Sequence, residues 1–267
     1  GLEVSRPLPR ETGSAFATLR FSNEPTAAFT ARSLEATAGA LVKTAEERLQ
    51  LRGAVSLETT GLRSDTEDKR TYLVSFPLAA VWNSEDDPLN PARGVRASLS
   101  TTPTTGTASF VRLEGDARTR AGFGPERRYV AAFRARFGAT LGTSFAELPS
   151  NERLYSGGGA SVRGYGYQAV GALDANGDPT GGLSAIEGAF ELRARVVRRL
   201  QVAAFVDAGS VSPRPWPDFS ARFFAGAGIG VRYFSPAGPI RVDVATPVNG
   251  RDVVRPVQIY ISLGQPF

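Results

Sequence analysis

The chain has 267 residues, 31 of them Lys or Arg and 26 Asp or Glu, for a formal net charge of +5. It holds no Cys and no His, which removes thiol nucleophiles, Ser-His-Asp triads and His- or Cys-based metal sites together. The positive residues are dispersed among nearly as many acids, so no basic patch marks a nucleic-acid partner.

Taken from the N-terminus, apolar residues recur at every second position. Weak stripes run over residues 2–8, 15–21 and 34–40; Leu49, Leu51, Val55 and Leu57 then oppose Gln50, Arg52, Ser56 and Glu58. Tyr72, Val74, Phe76, Leu78, Ala80 and Trp82 form one stripe, and residues 95–99 and 111–115 carry shorter ones. Tyr129, Ala131, Phe133, Ala135 and Phe137 face away from Arg134 and Arg136. Ile186, Phe190, Leu192 and Val196 likewise face away from Glu187, Glu191, Arg193 and Arg195. After weaker stripes over 200–208 and 225–233, Ile240, Val242 and Val244 alternate with Arg241 and Asp243. The chain closes on Val257, Ile259, Ile261 and Leu263 before a terminal Phe267. A period of two predicts strands, about thirteen of them and no helix.

Mid-strand arginines and acids opposite a broad apolar stripe fit a sheet with hydrocarbon on one side and water on the other. No apolar run reaches the roughly 18 residues of a membrane helix, so the pattern predicts an all-β fold, a transmembrane antiparallel β-barrel in which closure pairs every backbone amide. If the C-terminus is periplasmic, the turns near 44–46, 125–127, 198–199 and 235–238 fall on that side and are short. The segments 61–70, 142–182, 210–220 and 249–256 fall outside and are long, and 86–93 is the one long exception on the periplasmic side. A soluble sandwich or propeller shares the alternation but predicts no such asymmetry.

The long external segment contains Leu154-Tyr155-Ser156-Gly157-Gly158-Gly159-Ala160-Ser161-Val162-Arg163-Gly164-Tyr165. It resembles the signature of the outer-membrane assembly-factor barrels of the BamA and TamA type, the bacterial surface-antigen superfamily. Gly188-Ala189-Phe190-Glu191, Ala204-Phe205-Val206-Asp207-Ala208-Gly209, the glycine-rich stretch 226–233 and the hairpin 235–243 resemble successive strands of that family. The likeness covers about residues 150–267, extends upstream to 87–94, and is nearer the TamA kind. It implies a sixteen-stranded barrel, with N-terminal strands and periplasmic POTRA domains preceding Gly1, so that residues 1–267 are the barrel domain of a longer protein. The absence of an initiating Met and of a leader agrees with that expectation.

The resemblance further implies that Arg163, with Val162, Gly164 and Tyr165 around it, folds back into the lumen and pairs with acids on the inner wall. The alternation independently places Glu191 and Asp207 on the lumen-facing parity. The plain alternative is that these two are solvated lumen charges, common in barrel interiors. A guanidinium can bridge two carboxylates in a way an ammonium cannot. The triple glycine is not a phosphate loop, since no Gly-Lys-Ser/Thr or helix follows it. Residues 174–179 imitate a calcium loop, but Pro179 stands at the required Gly and Ala185 at the closing Glu.

The resemblance therefore implies a non-enzymatic factor of the Gram-negative outer membrane, using no metal or nucleotide. Its partners would be outer-membrane lipid, unfolded β-barrel or autotransporter clients, and a periplasmic or inner-membrane protein met through the preceding domains. Gly264 and Phe267 would belong to a weakly paired lateral seam. The rival expectation is a transport pore, either a two-partner secretion barrel or a simple porin.

Overall fold

The computed structural model describes residues 1–8, 13–44, 46–64, 68–88, 90–235, 238–249 and 257–263. Each stripe becomes a strand of one antiparallel sheet. The strands are β1 (Leu2–Pro7), β2 (Gly13–Pro25), β3 (Thr30–Lys43), β4 (Leu49–Arg63), β5 (Asp68–Ser75), β6 (Leu78–Asn83) and β7 (Arg93–Gly106). They continue as β8 (Phe110–Phe123), β9 (Tyr129–Leu141), β10 (Ser184–Val197), β11 (Leu200–Ser212), β12 (Phe224–Ser235), β13 (Gly238–Pro247) and β14 (Gln258–Leu263). Among the described residues the only helical pieces are two single 3₁₀ turns, Pro125–Arg127 and Ser150–Glu152.

The sheet runs in chain order except that β5 and β6 both pair with β4 and β7. They are one crossing interrupted at Phe76-Pro77, so the fourteen segments make 14 − 1 = 13 crossings. The interruption has a local cause. Pro77 and Pro103, which stands on β7 opposite Phe76, lack the N–H that a central ladder requires. The ladder is patched by the Phe76 N–H donating to the Pro103 carbonyl at 2.9 Å and the Ala54 N–H to the Pro77 carbonyl at 3.0 Å. Facing parity survives the break, because Tyr72, Leu78 and Trp82 all remain exposed.

The distribution of burial inverts that of a soluble globule. Phe133 and Phe190 stand directly opposite each other across β9 and β10 and are 48% and 49% exposed, and Ile259 is 67% exposed. Arg193 and Asp207 are each 1% exposed, and the largest fully buried side chains include three arginines. This is the section of a barrel wall with an apolar outer face and a polar lumen. A soluble sandwich is excluded, since every strand belongs to a single sheet.

Strands are longer than their apolar stripes. β4 runs on to Arg63 and β5 begins at Asp68, paired to each other, because Thr59, Thr60 and Thr71 extend the ladder with β-branched residues that carry no hydropathy signal. The long loop expected over 61–70 is therefore reduced to 64–67. Connections 26–29 and 107–109 at the same end are also short, so the predicted asymmetry holds only in the C-terminal half, where 142–183 and 213–223 face the two-residue turn 198–199. The long exception at 84–92 is a structured turn: Asp86 accepts the backbone N–H groups of Ala92 and Arg93 at 2.9 and 3.0 Å and pairs with Arg127 of the adjacent turn at 2.7 Å.

No pairing joins β1 to β14 among the described residues. Thirteen alternating crossings leave these two edges running in the same direction, so a direct seam between them would be a parallel one.

Candidate functional site: a loop tip bound inside the lumen

Residues 142–183 leave β9 and return at β10 after descending into the lumen. The segment is tied to itself by antiparallel bridges at Leu154 with Gly182 and Ser156 with Val170. It is tied to the wall by Arg112 pairing with Glu152, the Ser161 hydroxyl donating to Glu187 at 2.5 Å, and the Arg134 and Arg241 side chains donating to the Ala160 and Gly159 carbonyls at 2.9 and 3.0 Å. At its apex stands Arg163, 2% exposed.

The Arg163 guanidinium grips Asp207 of β11 with a fork, Nε to Oδ2 at 2.6 Å and Nη2 to Oδ1 at 2.8 Å, while its backbone N–H donates to the same carboxylate at 3.0 Å. Its Nη1 donates to Glu191 of β10 at 2.9 Å and to Asp243 of β13 at 3.2 Å. The guanidinium carbon lies 3.4 Å from the centroid of the Phe205 ring, adding a cation–π contact in a desolvated setting. Rigid, planar geometry with five donors is what lets one side chain hold three acids.

The acids are shared with wall arginines. Glu191 also pairs with Arg193 at 2.7 Å and Arg232 at 3.0 Å; Asp243 pairs with Arg232 at 2.5 Å and Arg241 at 3.2 Å. Asp207 differs, because among the described residues all of its hydrogen bonds come from Arg163. Buried charges of this kind persist only as a mutually satisfied set.

The neighbours of Arg163 hold the backbone. Val162 and Tyr165 are buried in an apolar cluster with Val170, Val211 and Phe224, and the Tyr165 and Phe224 rings meet edge to face at 5.6 Å. The Tyr165 hydroxyl donates to the Ala225 carbonyl at 3.2 Å. The Tyr260 hydroxyl of β14 clasps the tip from below, accepting from the Gly164 N–H at 3.0 Å and donating to the Tyr165 carbonyl at 2.7 Å. Gly164 has φ +99°, and an added Cβ would lie 2.8 Å from the Thr246 backbone, so both conformation and space require glycine. On the wall, a Cβ at Gly226 would collide with the Arg163 carbonyl.

The structure thus brings together Val162, Arg163, Gly164, Tyr165, Glu191 and Asp207. Gly264 and Phe267 lie outside the described residues. Sequence reasoning missed Asp243, Arg193, Arg232, Phe205 and Tyr260 as partners. Lumen parity was a signal for each of them. The three carboxylates are committed to guanidinium groups, and among the described residues no group of acidic side chains is arranged to hold a metal ion.

A family model described as the Omp85 superfamily domain matches residues 5–267. Among solved structures, the fold is similar to BamA from Haemophilus ducreyi lacking POTRA domains 1–3, with a TM-score of 0.81, 17% identity, and coverage of 97% of this chain and 59% of that one. It is also similar to CdiB from Acinetobacter baumannii, with a TM-score of 0.68, 14% identity, and coverage of 98% of this chain and 50% of that one. The chain therefore spans 50–59% of the length of these two structures. With a model match over nearly the whole chain, and a barrel of the same fold, this chain belongs to the Omp85 superfamily.

Proposed function

We propose that residues 1–267 form the barrel domain of an outer-membrane assembly factor of the BamA and TamA type, nearer TamA, that inserts or folds β-barrel clients such as autotransporters in a Gram-negative outer membrane. The observation that carries this reading is the loop tip held inside the lumen by the Arg163 contacts to Asp207 and Glu191. A plugged lumen favours sideways release over passage through the centre, and a seam at the last strand would offer its edge to an incoming strand. The role needs no enzymatic step, nucleotide or metal: strand pairing and burial of apolar surface in lipid supply the driving force.

The second reading, a barrel that secretes one partner polypeptide through its lumen, draws on the likeness to CdiB. Under that reading the loop would have to leave the lumen during transport.

Reconstitution of the protein into vesicles with an unfolded autotransporter tests the first reading. Client folding should accelerate, and a photocrosslinker at Ile259 or Ile261 of β14 should capture the client's strand. Client appearing inside the vesicle lumen without membrane insertion, and without β14 crosslinks, would support secretion instead.

A further inference from the structure

A second charged cluster lies on the lumen wall away from Asp207, and in it cations outnumber acids. Arg96 on β7 stands directly opposite Arg118 on β8, and Arg118 directly opposite Arg134 on β9, so three guanidinium groups form one row across three strands. Like charges directly opposite on a ladder destabilise it. The neighbouring row offsets this only in part. Asp116 bonds Arg118 at 2.6 Å and lies 3.5 and 3.6 Å from Arg134 and Arg136, and Glu187 pairs with the latter two at 3.3 Å. Arg96 has no ion-pair partner among the described residues.

This wall borders a polar cavity of about 650 Å³ that extends across the lumen to Arg241 on β13 and Ser262 on β14. Arg96, Arg118, Arg134, Arg136 and Arg241 line it with only Glu114 and Asp116 as acids, 5 − 2 = +3; with Glu187 counted behind the wall the balance is +2. Arg241 is 4% exposed, and among the described residues one of its nitrogens, Nη1, has no hydrogen-bond partner and the buried Ser262 hydroxyl has none either. Buried donors without acceptors are rare in native proteins, and leaving them so costs about 1–3 kcal/mol each. What the cavity presents is an excess of positive charge together with unsatisfied donors on its β13–β14 wall.

We propose that this cavity binds a soluble multivalent oxyanion of the phosphate class, such as a pyrophosphate or phosphate ester, held between Arg96 and Arg118 on one wall and Arg241 and Ser262 on the other. A singly charged anion would leave the excess uncompensated. Donors converging from opposite walls suit a tetrahedral group better than a planar carboxylate, and guanidinium forks are matched to phosphate oxygens. The cavity opens to the lumen, which favours an aqueous anion over a lipid headgroup.

The test is calorimetric titration of inorganic pyrophosphate into the full-length protein in phosphatidylcholine nanodiscs. Saturable binding, one per barrel, is expected, weakened at least tenfold by Arg96→Gln with Arg241→Gln and unchanged by Arg20→Gln, a lumen arginine that does not line this cavity. Arg96 is exposed and has no ion-pair partner among the described residues, so Arg96→Gln alone decides the matter if the double variant does not fold; a several-fold loss is expected from it. Absence of saturable binding, or equal affinity in Arg96→Gln and the wild type, would overturn the site. Competition by phosphatidic acid built into the nanodisc would identify a headgroup as the source of the phosphate; undiminished binding would identify an aqueous anion, and either supports the site.

Discussion

Truncating Arg163 to Ala removes the four side-chain hydrogen bonds to Asp207, Glu191 and Asp243 and the contact with Phe205. The loss does not fall evenly. Glu191 keeps Arg193 and Arg232, and Asp243 keeps Arg232 and Arg241, whereas Asp207 is left buried with only the backbone N–H of residue 163. Breaking a buried pair by removing one partner costs about 3–5 kcal/mol, mostly the orphaned charge. The population of loop-out states should rise by roughly two to three and a half orders of magnitude at 1.4 kcal/mol per decade. Native-state proteolysis of residues 142–183 in detergent-solubilised protein measures that population. Arg163→Ala combined with Asp207→Asn should in turn be less destabilised than Arg163→Ala alone, by about 1–3 kcal/mol, because the charge no longer needs a partner. Wild-type protease resistance in Arg163→Ala, or a double variant that is simply the sum of its parts, would refute the orphaned charge as the source of the cost.

Other outcomes follow from the same geometry. Tyr260→Phe removes the hydroxyl that joins the Gly164 N–H to the Tyr165 carbonyl and should cost about 1–3 kcal/mol, read as faster cleavage of the loop. Gly226→Ala drives a methyl into the Arg163 carbonyl and should expose the loop to protease without lowering strand content by circular dichroism; an unaltered digestion pattern would contradict the packing. Phe190→Arg places a cation on the outer face and should destabilise the barrel by about 2–4 kcal/mol in vesicles, measured by urea titration, if position 190 lies near the bilayer midplane. The Asp86 carboxyl is opposed by partial burial, but the Arg93 and Ala92 backbone N–H groups and nearby Arg127 outweigh this and lower its pKa below the ordinary 3.8. A depressed folded-state value means the carboxylate stabilises the 84–92 turn above that ordinary pKa, and the contribution disappears as pH falls through the lowered value. Hydrogen-exchange protection of the Ala92 and Arg93 amides, relative to the intrinsic rate at the same pH, should therefore fall in acid in the wild type and be low at neutral pH in Asp86→Asn.

Much of this architecture is legible without coordinates because a strand in a barrel wall has only two faces. Alternation alone told Phe133 and Phe190 from Arg134 and Glu191, and the crossing count of thirteen came out right even though Pro77 breaks one strand in two. Strand ends were less legible: β4, β5 and β7 continue through Thr and Ser residues that pair as well as valine but leave no hydropathy trace. At the site, Arg163, Glu191 and Asp207 could be named from motif and parity together.

Parity, however, assigns a face and not a height. Whether Asp243, eighty residues from Arg163, meets its guanidinium is set by the register of β12 on β13 and of β11 on β12, which depends on every pairing in between. The same holds for the row of Arg96, Arg118 and Arg134, harmless in sequence and charged only once three strands are aligned. By itself the sequence determined which side of the wall each residue occupies, since a period of two is a local property of extended backbone. Tertiary structure alone decided which inward charges touch, since that rests on stagger accumulated between strands and on where a long loop comes to rest.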